Sequence, residues 1–130
     1  MELDFGITEY YKRRYGTEKE IDDFCAAICI IAKRKVYSSK IDRIDFLPFI
    51  LPEELIQQGM GPVYTKIELR YRLVTITRQI NFEAYQKSDK KGKKDLLMEC
   101  LIGALREIHK KIGFDIDAFE SDLLIALGDF

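Results

Sequence analysis

The chain has no tryptophan, a single histidine (His109) and three scattered cysteines. Each scarcity removes a class of chemistry. One histidine leaves no His–His metal pair, and His109, between Glu107 and Lys110-Lys111, has no orienting carboxylate or nucleophile marked beside it, as acid–base catalysis would need. Cys25 and Cys29 lie four residues apart in an apolar helical stretch, and Cys100 is remote. An odd count without zinc-ligand spacing reads as buried thiols in a reducing compartment. No glycine-rich phosphate loop is present, and the sequence implies no cofactor. The apolar run from Ala26 to Ala32 falls far short of the ~20 residues that span a bilayer. Met1-Glu2-Leu3-Asp4 lacks the basic-then-apolar layout of a signal peptide, so a cytoplasmic, non-membrane protein is expected.

What the chain does contain is pattern. Its 130 residues are 47% hydrophobic, enough to bury one core, and a single domain over 1–130 is expected. Twenty-one basic residues against 22 acidic ones leave a net charge of -1, which gives no global attraction to nucleic acid. Leu3, Phe5 and Ile7 alternate with polar neighbours as in a half-buried strand. Residues 10–15 are aromatic and basic and end at Gly16. Thr17 and Glu20 spell a capping box ahead of Ile21, Phe24, Cys25, Ile28, Ile31 and Ala32, which predicts a helix ending near Val36.

Residues 41–51 are apolar in both phases, which predicts a strand buried on both faces, at least near its end, with Pro48 arguing for an edge or bulge there. Pro52, Glu53 and Glu54 resemble a first helical turn, soon stopped by Gly59, Gly61 and Pro62. Between 63 and 82 the apolar phase flips after Tyr71, which requires either a hairpin turning near 70–73 or one bulged strand. Ser88-Asp89 can cap a helix carrying Leu97, Leu101, Ala104, Leu105, Ile108 and Ile112, with Gly113 as its left-handed stop. Asp115 or Asp117 opens a last helix bearing Phe119, Leu123, Ala126 and Leu127, ended by Gly128. The order βαβββαα predicts an α+β fold, with an antiparallel sheet of about four strands against three main helices.

Candidate sites are surface features. Asp42, Asp45, Glu53 and Glu54 form one acidic group. Asp115, Asp117, Glu120 and Asp122 form another, whose spacing fails the calcium-loop pattern at its sixth and twelfth positions. Lys12-Arg13-Arg14 beside Tyr10, Tyr11 and Tyr15 is the strongest pointer to nucleic acid, but no recognised motif accompanies it. Tyr64, Arg70 and Arg72 lie on the predicted hairpin and are residue types that carry interface energy.

The run Val74-Thr75-Ile76-Thr77-Arg78-Gln79-Ile80-Asn81-Phe82-Glu83-Ala84-Tyr85 leads through lysines into Leu96-Leu97 and Leu101-Ile102-Gly103-Ala104-Leu105. With Ile108, Lys110-Lys111, Phe114-Asp115 and Phe119 to Leu124, it resembles the immunity protein 44 family of bacterial polymorphic toxin systems, over roughly the C-terminal half. The resemblance implies a non-enzymatic cytoplasmic protein that binds and neutralises a cognate toxin, often a nuclease, by covering its active site. It carries over no site residues. The partner-binding candidates are Asp42, Asp45, Glu53, Glu54, Tyr64, Arg70 and Arg72. The alternatives are a small nucleic-acid-binding accessory protein, with Lys12, Arg13 and Arg14 as its contacts, and a hydrolase built on the acidic groups.

Overall fold

A computed structural model describes residues 1–113 and 117–127. Four strands form one sheet: β1 (Glu2–Phe5), β2 (Arg43–Leu51), β3 (Thr65–Glu68) and β4 (Leu73–Asn81). The helices are α1 (Glu9–Tyr15), α2 (Lys19–Lys35), α3 (Glu53–Gln57), α4 (Phe82–Lys87), α5 (Lys90–Ile112) and α6 (Asp117–Leu127). The α+β class and the strand count agree with the expectation, but the sheet is mixed and not antiparallel. Its order is β1-β2-β4-β3, with β1–β2 and β2–β4 parallel and only β3–β4 antiparallel.

The reason lies in the connections. α1 and α2 intervene between β1 and β2, and a helical crossover returns the chain in a parallel sense. The hairpin then offers two strands to β2. β4 is nine residues long and buries Val74, Ile76 and Ile80, whereas β3 has four residues, none fully buried. The longer, more apolar strand takes the interior place. β2 is thus central from Arg43 to Phe46, where β1 flanks it. Pro48 lies past that point, so a residue without an N–H sits where β2 has only one strand neighbour.

The hairpin alternative is the one adopted. The turn is a short 3-10 segment, Leu69–Tyr71, followed by Arg72 in the left-handed region at φ 54°. Glycine or asparagine would ordinarily sit there. Arg72 is held by its contacts instead. Its carbonyl accepts from Asp42 N–H at 2.8 Å and Arg43 N–H at 3.3 Å. Its guanidinium donates to Asp42 at 2.8 Å and to the Ser39 carbonyl at 2.8 Å. Arg72→Val, which is β-branched, should lose about 2 kcal/mol to backbone strain. Arg72→Gly should lose less than about 1 kcal/mol, because the ion pair is exposed and weak. Thermal unfolding of the two variants checks this ordering.

The core lies between the sheet and α2 and α5. Leu3, Phe5, Ile44, Phe46, Val74 and Ile76 meet Phe24, Cys25, Ile28, Leu97, Leu101, Leu105 and Ile108. Leu123, of the stripe expected on α6, is fully buried, while the Asp115 cap and the Gly128 stop lie outside the described residues. Asp89 caps α5 by accepting from Gly92 N–H at 2.7 Å, and Gly113 ends it at φ 73°.

The capping box of Thr17 does not form. α2 begins one residue later, after Glu18, with no side-chain cap. Glu20 turns outward to Lys94 at 2.8 Å and Lys90 at 3.0 Å, so ion pairs to α5 replace the local bond. These lysines hold the Glu20 carboxyl below its ordinary range. α1 was not predicted from the sequence. Its seven residues bury only Tyr11, too few for a helical period to register, and Thr8 caps it.

The cysteines behave as small apolar residues. Burial pushes the Cys25 thiol up to about 12 and Cys100 to about 11. Cys29 is also raised by burial, and its Sγ donates to the Phe5 carbonyl at 3.5 Å. Thiolate is therefore scarce at neutral pH. A disulfide-exchange reagent at pH 8 should modify the native protein far more slowly than the unfolded chain, with Cys25 last.

Candidate interaction surface

The helices that build the core lie on one side of the sheet, so side chains of the other phase point outward. The strand register aligns them in rows. Glu2, Arg43, Leu73 and Glu68 form one row, and Asp4, Asp45, Thr75 and Lys66 the next. Arg43 gathers three carboxylates: Asp45 at 2.6 Å, Glu2 at 3.4 Å and Asp4 at 3.5 Å. These bonds, Asp45 foremost, raise the guanidinium further above its ordinary range. Lys66 reaches Glu68 at 3.7 Å. Four carboxylates against two cations leave this half of the face with two surplus negative charges. A shallow depression of about 420 Å³ beside it is lined by Glu2, Asp4, Arg43, Ile30 and Lys33.

The other half of the face is apolar and partly roofed. Leu47, Phe49 and Leu51 continue the outward phase of β2 opposite Thr77, Gln79 and Asn81. The segment 58–64 crosses above them. Gly61, at φ 64°, passes so close that an added Cβ would lie 2.5 Å from Leu51 Cδ1. Two side chains of β4 pin this segment. Thr77, 1% exposed, donates its hydroxyl proton to the Pro62 carbonyl and accepts from Tyr64 N–H at 3.0 Å. Gln79 donates to the carbonyls of Met60 and Gly61. Burying a hydroxyl requires such partners. Leu51 and part of Phe49 are covered, whereas Leu47, Met60, Val63 and Tyr64 remain exposed. An apolar patch is thus placed beside an acidic one on a single sheet face.

The sequence-predicted residues do not form one cluster. Asp42 and Arg72 meet as an ion pair at the hairpin end, and this pairing holds the Asp42 carboxyl below its ordinary range. Arg70 lies at the same end, its guanidinium 5.6 Å from the Tyr71 ring. Asp45 sits among the acids around Arg43. Glu53 and Glu54 are exposed in the first turn of α3, past the opposite end of β2, roughly 30 Å along the strand from Asp42. Tyr64 stands at the start of β3, beside the apolar patch.

Sequence reasoning passed over Glu2, Asp4, Arg43, Glu68, Leu47, Met60 and Val63 as candidates for this surface. Glu2 and Asp4 could have been found, because they fill the outward phase of the strand that Leu3 and Phe5 define.

Other candidate groups are engaged inside the fold. Lys12 pairs with Asp22 at 3.3 Å, and Lys93 with Glu18 at 2.9 Å. Arg14 lies 3.7 Å from the Tyr10 ring centroid, and Tyr11 is buried against Tyr85. Of the second acidic group, Glu120 pairs with Arg106 at 3.4 Å, while Asp115 lies outside the described residues. His109 is exposed in the last turn of α5. Among the described residues, no three His, Cys, Asp or Glu side chains converge as a metal site would need. Among the same residues no helix is long and apolar enough to cross a membrane.

A sheet covered by helices on one side, with charged and apolar side chains on its other side, defines a two-layer α+β domain with an open face. The chain belongs to the immunity protein 44 family (Imm44), whose sequence profile matches residues 1–129. The match extends well beyond the C-terminal half that carries the resemblance in the sequence, and takes in β1 and β2. Immunity proteins neutralise toxins, so the partner of this protein is a toxin, and such proteins typically act without catalysis of their own. No curated protein and no solved structure matches the chain.

Proposed function

We propose that this protein acts in the bacterial cytoplasm and neutralises the toxin of a polymorphic toxin system by occlusion, laying its open sheet face over the toxin's active site. The observation that carries this reading is the juxtaposition on one face of an acidic surplus and an exposed apolar patch. The apolar patch supplies desolvated contact area, and the acids supply attraction and orientation. A nuclease target accounts for the sign of the charge, since a site that holds phosphates is basic and accepts carboxylates in their place. Asp45 and Tyr64 lie inside the proposed contact. Asp42, Glu53, Glu54, Arg70 and Arg72 lie at its ends and act as a rim.

The nucleic-acid alternative is weakened by the pairing of Lys12, Lys90, Lys93 and Lys94 with acids of α2 and its cap. The test is titration of the purified protein against the toxin domain encoded by the adjacent gene, with toxin activity followed in parallel. Stoichiometric inhibition that competes with the toxin's substrate is expected. Tight binding that leaves the toxin fully active would refute occlusion.

A further inference from the structure

The hairpin leaves half of β4 without a neighbour on one side. β3 opposes β4 only from Leu73 to Ile76, and one further bond runs from Thr77 N–H to the Tyr64 carbonyl at 2.9 Å. The chain then departs at Pro62 and crosses the outer face, while β2 accompanies β4 on the other side as far as Asn81. Main-chain groups alternate in direction along a strand. Thr77 N–H points toward β3, so the N–H and C=O of Gln79 point the same way, and among the described residues no strand residue lies opposite them.

Beneath this edge, on the helix side, a groove of about 490 Å³ runs between β4 and α5. Leu96, Cys100 and Gly103 line it on the α5 side, with Glu99 and Glu107 from the same helix and Arg78 from β4. Gly103 is a poor helix former in the middle of a 23-residue helix, and a Cβ on it would meet nothing within 4 Å. Glu99 makes no ion pair among the described residues. Arg78 donates to its neighbour's carbonyl, that of Thr77, at 2.8 Å. Lys111 holds Glu107 at 3.6 Å, which leaves Glu99 as the carboxylate of the groove without an ion pair among the described residues.

An outward-facing N–H and C=O pair is the half-site of a β-ladder, and what completes it is an extended polypeptide. We infer that the edge of β4 at residues 78–81 takes up an extended segment of the toxin as an added strand. Main-chain bonds to Gln79 hold the segment, and a lysine or arginine of the toxin lies against Glu99. This rests on the toxin-neutralising function proposed above. It adds a second contact, around the sheet edge from the open face.

The test uses the full protein and the toxin domain encoded beside it. Amide exchange at Gln79, whose N–H faces the open edge, should slow at least tenfold in the complex. Gly103→Trp fills the groove and should fold at least as well as the wild type, yet bind the toxin about tenfold more weakly. Should the tryptophan variant fail to fold, Glu99→Lys, at an exposed position, should weaken binding in the same direction. Wild-type affinity in these variants with unchanged exchange at Gln79 would overturn strand addition while leaving toxin neutralisation intact. No complex with the wild-type protein would overturn both. Protection of the Gln79 amide in the free protein, with a dimer's mass in sedimentation, would assign the edge to a second copy and also overturn the inference.

Discussion

Lysine in place of both Glu2 and Asp4 should slow capture of the toxin by about two orders of magnitude at low salt, the range over which charge steering acts. Both side chains are exposed, and their ion pairs are with Arg43, which keeps Asp45 at 2.6 Å. The double change turns a face with two surplus negative charges into one with two surplus positive charges, while the buried Leu3 and Phe5 of the same strand are untouched. The unfolding temperature should move little, because exposed pairs of this kind contribute ~0–1 kcal/mol each. The salt dependence of association should also reverse, since screening over a Debye length of ~10 Å at 0.1 M would then relieve a repulsion instead of weakening an attraction. Stopped-flow association at several ionic strengths measures both quantities. Wild-type rates in the double variant would remove the electrostatic part of the proposed mechanism.

Thr77→Val should destabilise the fold by about 2–3 kcal/mol, although it preserves shape and volume. The buried hydroxyl serves two partners at once, the Pro62 carbonyl and the Tyr64 N–H, and valine removes both bonds at ~1–1.5 kcal/mol apiece. Segment 58–64 would then be tied down chiefly by Gln79, and the cover over Leu51 would loosen. Chemical denaturation gives the stability. Faster amide exchange at Tyr64 than at Ile76, which stays in the β3–β4 pairing, would show that release begins in this segment. A loss under about 0.5 kcal/mol would mean that the two bonds are not what holds the crossing in place.

The long elements were legible because each repeats a period over many residues. The stripe from Leu97 to Ile112 and that from Ile21 to Ala32 left no alternative to a helix, and the phase flip after Tyr71 marked the hairpin turn to within a residue or two. Strand order was not legible. Nothing local in residues 63–82 states that β4, and not β3, lies against β2, since that choice compares the apolar surfaces of two strands against a third. The capping box at Thr17 failed for the same reason, as Glu20 has a choice between a nearby amide and two lysines some seventy residues away.

The binding surface was legible in kind but poorly in place. Asp42, Asp45, Glu53 and Glu54 are close in sequence, yet an extended strand carries them far apart, whereas Glu2 and Asp45 are distant in sequence and share one guanidinium. β2 is buried on both faces near its end, at Ile50 and Leu51, as its two apolar phases predict, but Leu47 shares the outward phase of Leu51 without its cover. It is exposed because the cover over that face comes from a glycine-containing loop that reaches only Phe49 and Leu51.

The parallel pairing of β1, β2 and β4 also shapes how the molecule is made on the ribosome. Ile44, Phe46 and Ile50 emerge long before α5, the helix that covers them, so a nascent chain ending near residue 88 presents a sticky half-built sheet. Chaperone engagement should therefore peak at that length and fall once α5 has left the exit tunnel.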